Sequence, residues 1–269
     1  MDLLRSLAMA LSCFSKVPVP QLDWKPESMR YMMCFFPVVG LVIGLVLALW
    51  WVICDALGFG AVLRGVGLTL LPVIVSGGIH IDGFCDVVDA QSSHAEPERK
   101  REILKDPHIG AFAAIGVACY LVAYAAFAID FADAACAAIG AETLATMVVL
   151  VLLTCLHVLS RCASGLATVL FAQSGGQGML AMFQQSAEKR PVAIALLVEF
   201  VAFAALACVV SPVAGVAIIV ACLLCLAGIN VFARTRFGGM SGDLAGFFLQ
   251  VAELVMIVCL VVVIHTVGL

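Results

Sequence analysis

Apolar residues run through this chain in long unbroken stretches, and polar residues are confined to the gaps between them. The stretches fall at about Tyr31–Ile53, Ala61–Val75, Ile109–Ile129, Leu144–Leu159, Val192–Val210, Val213–Val231 and Leu244–Val267. A helix crossing a bilayer needs ~20 mostly apolar residues, so the pattern predicts about seven spans. The second and fourth stretches are short, which leaves them open to being broken or re-entrant. Ahead of them, Leu3, Leu4, Leu7, Leu11 and Phe14 recur at helical spacing, with Arg5, Ser6, Ser12 and Lys16 elsewhere. That pattern predicts an amphipathic helix lying on the membrane surface. A signal peptide fits less well, because Asp2 weakens the basic start and Ser15-Lys16-Val17-Pro18 stands where cleavage would occur. The expected architecture is all-α, a polytopic transmembrane bundle forming one domain over residues 1–269. Its longest polar stretch is 76–108, and Asp130–Glu142 is a connection of no evident function.

Composition supports a lipid solvent. Of 269 residues, 64% are hydrophobic and 12% charged, against roughly 45–50% and about 25% in soluble domains. The net charge of −4 argues against nucleic acid as a partner. The 12 cysteines are scattered through apolar runs, where Cys packs as a small hydrophobe. The Cys222/Cys225 pair is read the same way. Of the 14 basic residues, all but Arg64 fall on one side of a seven-span topology. The positive-inside rule then places the N-terminus and the loops at 76–108, 160–191 and 232–243 in the cytoplasm and the C-terminus outside.

The chemistry is concentrated in Ser76-Gly77-Gly78-Ile79-His80-Ile81-Asp82-Gly83-Phe84-Cys85-Asp86-Val87-Val88-Asp89. Asp82, Asp86 and Asp89 are spaced i, i+4, i+7, within a ~60° arc of one helix face. Three carboxylates there repel one another and are costly beside lipid. A divalent cation relieves both penalties, and all-oxygen ligands favour magnesium or manganese over zinc. A solvated acidic face is the plainer alternative. His80 is open to three readings: metal ligand, proton acceptor or hydrogen-bonding neighbour. Gly77 and Gly78 either admit a ligand to the backbone or break a helix.

Other polar residues carry paired readings. Lys105 suits a phosphate oxygen and Asp106 a metal shell, or both belong to a charged collar at a span end. Gly238, Gly239, Ser241, Gly242 and Asp243 open the last span; such a turn suits phosphate, while Asp243 also suits an N-cap. Arg234 and Arg236 fit bidentate phosphate binding or membrane anchoring. Arg161, expected at the cytoplasmic end of a span, either faces substrate or snorkels. Glu199 and Glu253 are intramembrane carboxylates without an identifiable partner. His157 and His265 are read as packing or interface residues, and His94 as loop.

These elements resemble the cobalamin synthase family, the adenosylcobinamide-GDP ribazoletransferases. The family pattern T-G-G-L-H-L-D-G-L-A-D-T-x-D is met by Ser76 through Asp89, and K-D-S/P-x-I-G-A-F by Lys105 through Phe112. T-R-I-P-V-P and F-P-x-V-G-x-x-I-G are matched by Ser15–Pro20 and Phe36–Gly44, and G-G-x-T-G-D-x-x-G by Gly238–Gly246. The departures are Ser76 and Ser241 for Thr, Ala90 for Gly, and Gln250 for Glu. The resemblance implies attack by the ribose 3′-hydroxyl of α-ribazole, or of its 5′-phosphate, on adenosylcobinamide-GDP with loss of GMP. It also implies a magnesium requirement and a place in the cell inner membrane. On that basis Asp82, Asp86, Asp89 and Asp106 are expected to hold magnesium, with His80 or one of the aspartates taking the proton. Lys105, Arg161, Arg234, Arg236, Gly238, Gly239 and Asp243 are expected to bind substrate. A homo-oligomer is compatible with such a chain.

Three competitors fit less well. A CDP-alcohol phosphatidyltransferase expects D-x-x-D-G-x-x-A-R, but here glycine follows the first aspartate and the spacing is four, then three. An ion-coupled transporter predicts midplane charges and an inverted repeat, neither of which is evident. An intramembrane aspartyl protease needs aspartates on two spans.

Overall fold

The structure, a computed structural model, describes residues 2–20, 25, 29–139, 143–174 and 187–268. Among them are ten α-helices: α1 Asp2–Phe14, α2 Phe36–Leu57, α3 Ala61–Ser76, α4 Ile79–Ser92, α5 Pro97–Ile103, α6 Ala111–Ile139, α7 Thr143–Leu170, α8 Lys189–Val210, α9 Pro212–Phe237 and α10 Gly242–Thr266. A 3-10 turn, Met32–Phe35, leads into α2. Six helices are long and apolar enough to cross a membrane, or seven if α3 and α4 count as one bent span. Leucines and valines left exposed along them, such as Leu45, Val122, Leu197 and Leu224, are tolerable only against lipid.

Long-range contacts define two ends. At one, the backbone N–H of Lys16 donates to Val75 O at 2.7 Å, joining the exit of α1 to the end of α3. At the other, His265 near the end of α10 meets Asp130 of α6 at 2.8 Å. Helices α2, α3, α6, α7, α8, α9 and α10 run between these ends. Arg64, the lone basic residue expected opposite the others, lies at the second end. It is buried, pairs with Asp55 at 2.8 Å, donates to Trp51 O and stacks on the Trp51 ring at 4.5 Å.

Helices α7 and α10 form the centre. Glycines set how closely the helices approach, as in other membrane bundles. A Cβ on Gly40 would lie 2.6 Å from His157 O, so α2 can pack on α7 only with glycine there.

The spans differ from the sequence expectation in their ends. The fourth, expected to stop at Leu159, continues to Leu170, and this puts Arg161 inside a helix. The sixth continues to Phe237, so Arg234 and Arg236 occupy its last turns rather than a loop. The 76–108 segment is mostly helical. Hydropathy alone ends a span where polar residues begin, but polar residues facing the bundle interior continue the helix. The part of Asp130–Glu142 at 140–142 lies outside the described residues, as does the middle of the 160–191 loop.

The bend after α3 is the feature that places the site. Gly77 and Gly78 both take left-handed backbone, φ 66° and 81°, where only glycine escapes a steric penalty. Gly77 N–H donates to Ile74 O and Gly78 N–H to Val73 O, at 3.1 and 3.0 Å, which satisfies the last carbonyls of α3. Between the two readings of this pair, the structure shows the helix break. Helix α4 then leaves at 95° to α3 and lies across the bundle end against α10 and α6.

Candidate active site

Helix α4 presents Asp82, Asp86 and Asp89 along one ridge, as the i, i+4, i+7 spacing requires. Asp82 is exposed and the other two are half-buried. The adjoining flank of α4, with Gly83, Val87 and Ala90, is buried. A Cβ on Gly83 would lie 2.8 Å from the Cα of Asp243, and one on Gly246 would lie 2.8 Å from His80 O. These two glycines bring the first turns of α10 against α4 and carry a fourth carboxylate to the ridge. Asp86 is under the electrostatic influence of Asp243, Asp82 and Asp89, and Asp243 under that of Asp82.

The N-cap of α10 is Ser241, whose Oγ accepts from Leu244 N at 3.2 Å. Asp243 is therefore not the cap. It sits in the first helical turn, half-buried, and lines the site.

Among the described residues, no basic side chain forms an ion pair with these four aspartates, and no three His, Cys, Asp or Glu side chains form a ready-made metal cage. Asp82 and Asp89 are roughly 10 Å apart along the axis of α4, too far to share one ion. Such a ridge fits a hard cation whose shell is completed by water and ligand oxygens, since the donors are all carboxylate oxygens with no competing counter-charge.

Two spaces meet at Asp82. One is a cavity of about 230 Å³ between α1, α2, α4, α7 and α10. Its polar side is His80, Asp82, Asp243, Ser164 and Thr168, and Phe14, Phe36, Met33 and Leu249 face them. The other is a groove of about 540 Å³ bounded by Gly77, Gly78, Ile79, Ile81, Asp82, Cys85 and Val117. His80 is buried with its ring stacked near Phe14, 6.2 Å between centroids, and its Nε2 has no hydrogen-bond partner.

The second polar cluster divides. Asp106 is exposed and accepts from His108 N at 3.0 Å while pairing with His108 Nδ1 at 2.7 Å. Those two hydrogen bonds hold its carboxyl below the usual range. The structure thus engages Asp106 with His108 rather than with the α4 ridge. Lys105 is exposed. The same segment returns to the ridge at Gly110, where a Cβ would overlap the Asp89 carboxylate.

Gly238 and Gly239 have φ 73° and 147°. Gly239 N–H donates to Ala233 O, Met240 N–H to Ala172 O and Ser174 N–H to Met240 O. These N–H groups are used in a turn and a bridge rather than offered to a phosphate. Arg234 and Arg236 are exposed at the same end. Lys100 donates to Gln91 Oε1 at 2.9 Å and lies over the Phe237 ring at 5.8 Å. Burial and nearby Arg236 lower its pKa.

Arg161 departs most from expectation. It does not end a span and does not reach open space. Its Nη1 donates to Glu253 Oε1 at 2.5 Å and to His157 O at 2.8 Å, and Ser160 Oγ donates to the same carboxylate oxygen at 2.8 Å. His157 Nδ1 lies 3.3 Å from it. Glu253, which had no partner in the sequence reading, thus has three. Sequence reasoning also missed Ser164 and Thr168. Their signal was a polar stripe, Ser160, Ser164, Thr168, at i, i+4, i+8.

The cobalamin-5-phosphate synthase family profile matches residues 6–261. A protein of Lachnoclostridium phytofermentans called adenosylcobinamide-GDP ribazoletransferase is 40% identical over 94% of this chain and 92% of its own length. Proteins of the same description from Clostridium perfringens and a Geobacillus species are 28% and 26% identical, covering 93% and 87% of this chain and 94% and 86% of theirs. No solved structure matches.

Proposed function

Since the chain belongs to the cobalamin-5-phosphate synthase family, we propose that it is an adenosylcobinamide-GDP ribazoletransferase, joining adenosylcobinamide-GDP to α-ribazole or α-ribazole 5′-phosphate. The observation that carries this reading is the meeting of Asp82, Asp86 and Asp89 with Asp243, without described basic partners, where a partly open cavity and an open groove share one carboxylate. A phosphoryl transfer needs two reactants brought to one phosphorus from different sides. Here two separate spaces open on Asp82.

Asp82, Asp86, Asp89 and Asp243 would hold magnesium. Bound there, magnesium neutralises charge on the diphosphate and on the departing GMP. In the reaction, the ribose 3′-oxygen forms a bond to the phosphorus attached to cobinamide. The bond from that phosphorus to the bridging oxygen breaks, and GMP leaves with the electron pair. Asp82 lines both spaces and accepts the proton of the attacking hydroxyl. Arg234, Arg236 and Lys105, exposed at this end of the bundle, attract the guanosine diphosphate electrostatically.

Purified protein with magnesium, α-ribazole and GDP-cobinamide is expected to release GMP, and a chelator is expected to stop release until magnesium is restored. Full turnover after exhaustive chelation would refute the metal assignment, and absence of GMP would refute the function. The basic residues gathered at the site end support a cytoplasmic position for that end, and the proposed activity suits an inner membrane. Reporter fusions after residues 100 and 268 are expected on opposite sides, and same-side signals would overturn the orientation.

A further inference from the structure

The partly open cavity lies beside the aspartate ridge and meets the groove only at Ile79 and Asp82, and its lining is selective. It holds no lysine or arginine. Its ionisable members are Asp82, Asp243 and His80. Its apolar side is aromatic and thioether, Phe14, Phe36 and Met33, which suits the face of a flat ring. Its volume of about 230 Å³ falls below the ~300–1,000 Å³ of pockets for drug-sized ligands and excludes a corrin. The buried Nε2 of His80 has no protein partner, and such a group is costly unless something bonds to it.

We infer that this cavity is the berth of the attacking nucleoside. It takes an uncharged riboside with a bicyclic aromatic base, stacked among Phe14, Phe36 and Met33, hydrogen-bonded to His80 Nε2, with its sugar hydroxyls toward Asp82 and Asp243. The inference rests on the proposed activity and deepens it. It separates the two reactants in space: the nucleoside sits inside the bundle end, and the diphosphate with its corrin sits in the open groove. A 5′-phosphorylated nucleoside binds with its phosphate outside the cavity. His80 acts as a substrate contact, and the proton of the attacking hydroxyl goes to Asp82.

The test is a split in KM. Ala245→Leu narrows the cavity, and His80→Phe keeps the ring stack while removing the polar atom. Each is expected to raise KM for α-ribazole about tenfold, the scale of one lost hydrogen bond or one mis-sized contact, with KM for GDP-cobinamide changed less than about twofold. Calorimetric titration of α-ribazole into the purified protein, without GDP-cobinamide, reads the same loss without turnover and covers a variant that binds but does not react. A rise in KM for GDP-cobinamide alone would place guanine in the cavity and overturn the inference. So would unchanged constants for both substrates in folded variants. An unmodified protein that releases no GMP would instead overturn the proposed activity, so the two failures are distinguishable.

Discussion

Replacing Asp82 by Asn is expected to lower the rate of GMP release by about 10²–10³-fold, the usual effect of removing one group that stabilises developing charge. The amide keeps the size of the side chain but neither takes a proton nor carries the charge that holds a cation. Asp86→Asn, Asp89→Asn and Asp243→Asn are expected to lose activity on a similar scale. Stability should move the other way. The four carboxylates crowd one ridge with no described ion pair, so removing one relieves repulsion. A thermal midpoint unchanged or raised, alongside lost turnover, is the signature of a site kept at some cost to the fold. Initial rates on protein shown to be folded by its elution and unfolding midpoint decide the matter. Near-normal turnover in all four variants would remove the aspartates from the chemistry.

The largest effect on stability is expected at Arg161 and Glu253. Both are almost wholly buried, with side-chain exposures of 2% and 3%, and they join the two central helices. Arg161→Met leaves the Glu253 carboxylate with a serine hydroxyl and His157 but no full counter-charge. Removing one member of a buried pair costs about 3–5 kcal/mol in water-soluble proteins, and the bilayer offers no better solvent for the survivor. Arg161→Met and Glu253→Leu should each lower the unfolding midpoint in detergent, while the double replacement should recover much of the loss, because neither charge is then stranded. Additive losses in the double variant would show that the two side chains act independently.

The bundle was legible in the sequence because its signal is large. Seven apolar runs, with all but one of the 14 basic residues on one side, leave few alternatives. The aspartate ridge was legible because helical spacing fixes which side chains share a face, whatever the rest of the chain does. What escaped depends on contacts between distant segments. Asp243 looked like a helix cap, and only the approach of α10 to α4 at Gly83 and Gly246 shows it among the other carboxylates. Arg161 looked like a span end because a one-dimensional hydropathy profile cannot tell a polar face turned inward from a loop. Glu253 had no partner for the same reason, since its partners lie more than ninety residues away.

The two left-handed glycines after α3 have a consequence for depth. They stop that helix at 16 residues, roughly 24 Å of rise, beneath a hydrocarbon layer ~30 Å thick. Its neighbour α6 has 29 residues and runs past it. Thinning of the bilayer around a short element is one way such a mismatch is met, and it would set α4 below the level of the headgroups. Reactants gathered on α4 would then meet surroundings less polarisable than open water, where each charge of the ridge acts on a phosphate with greater force.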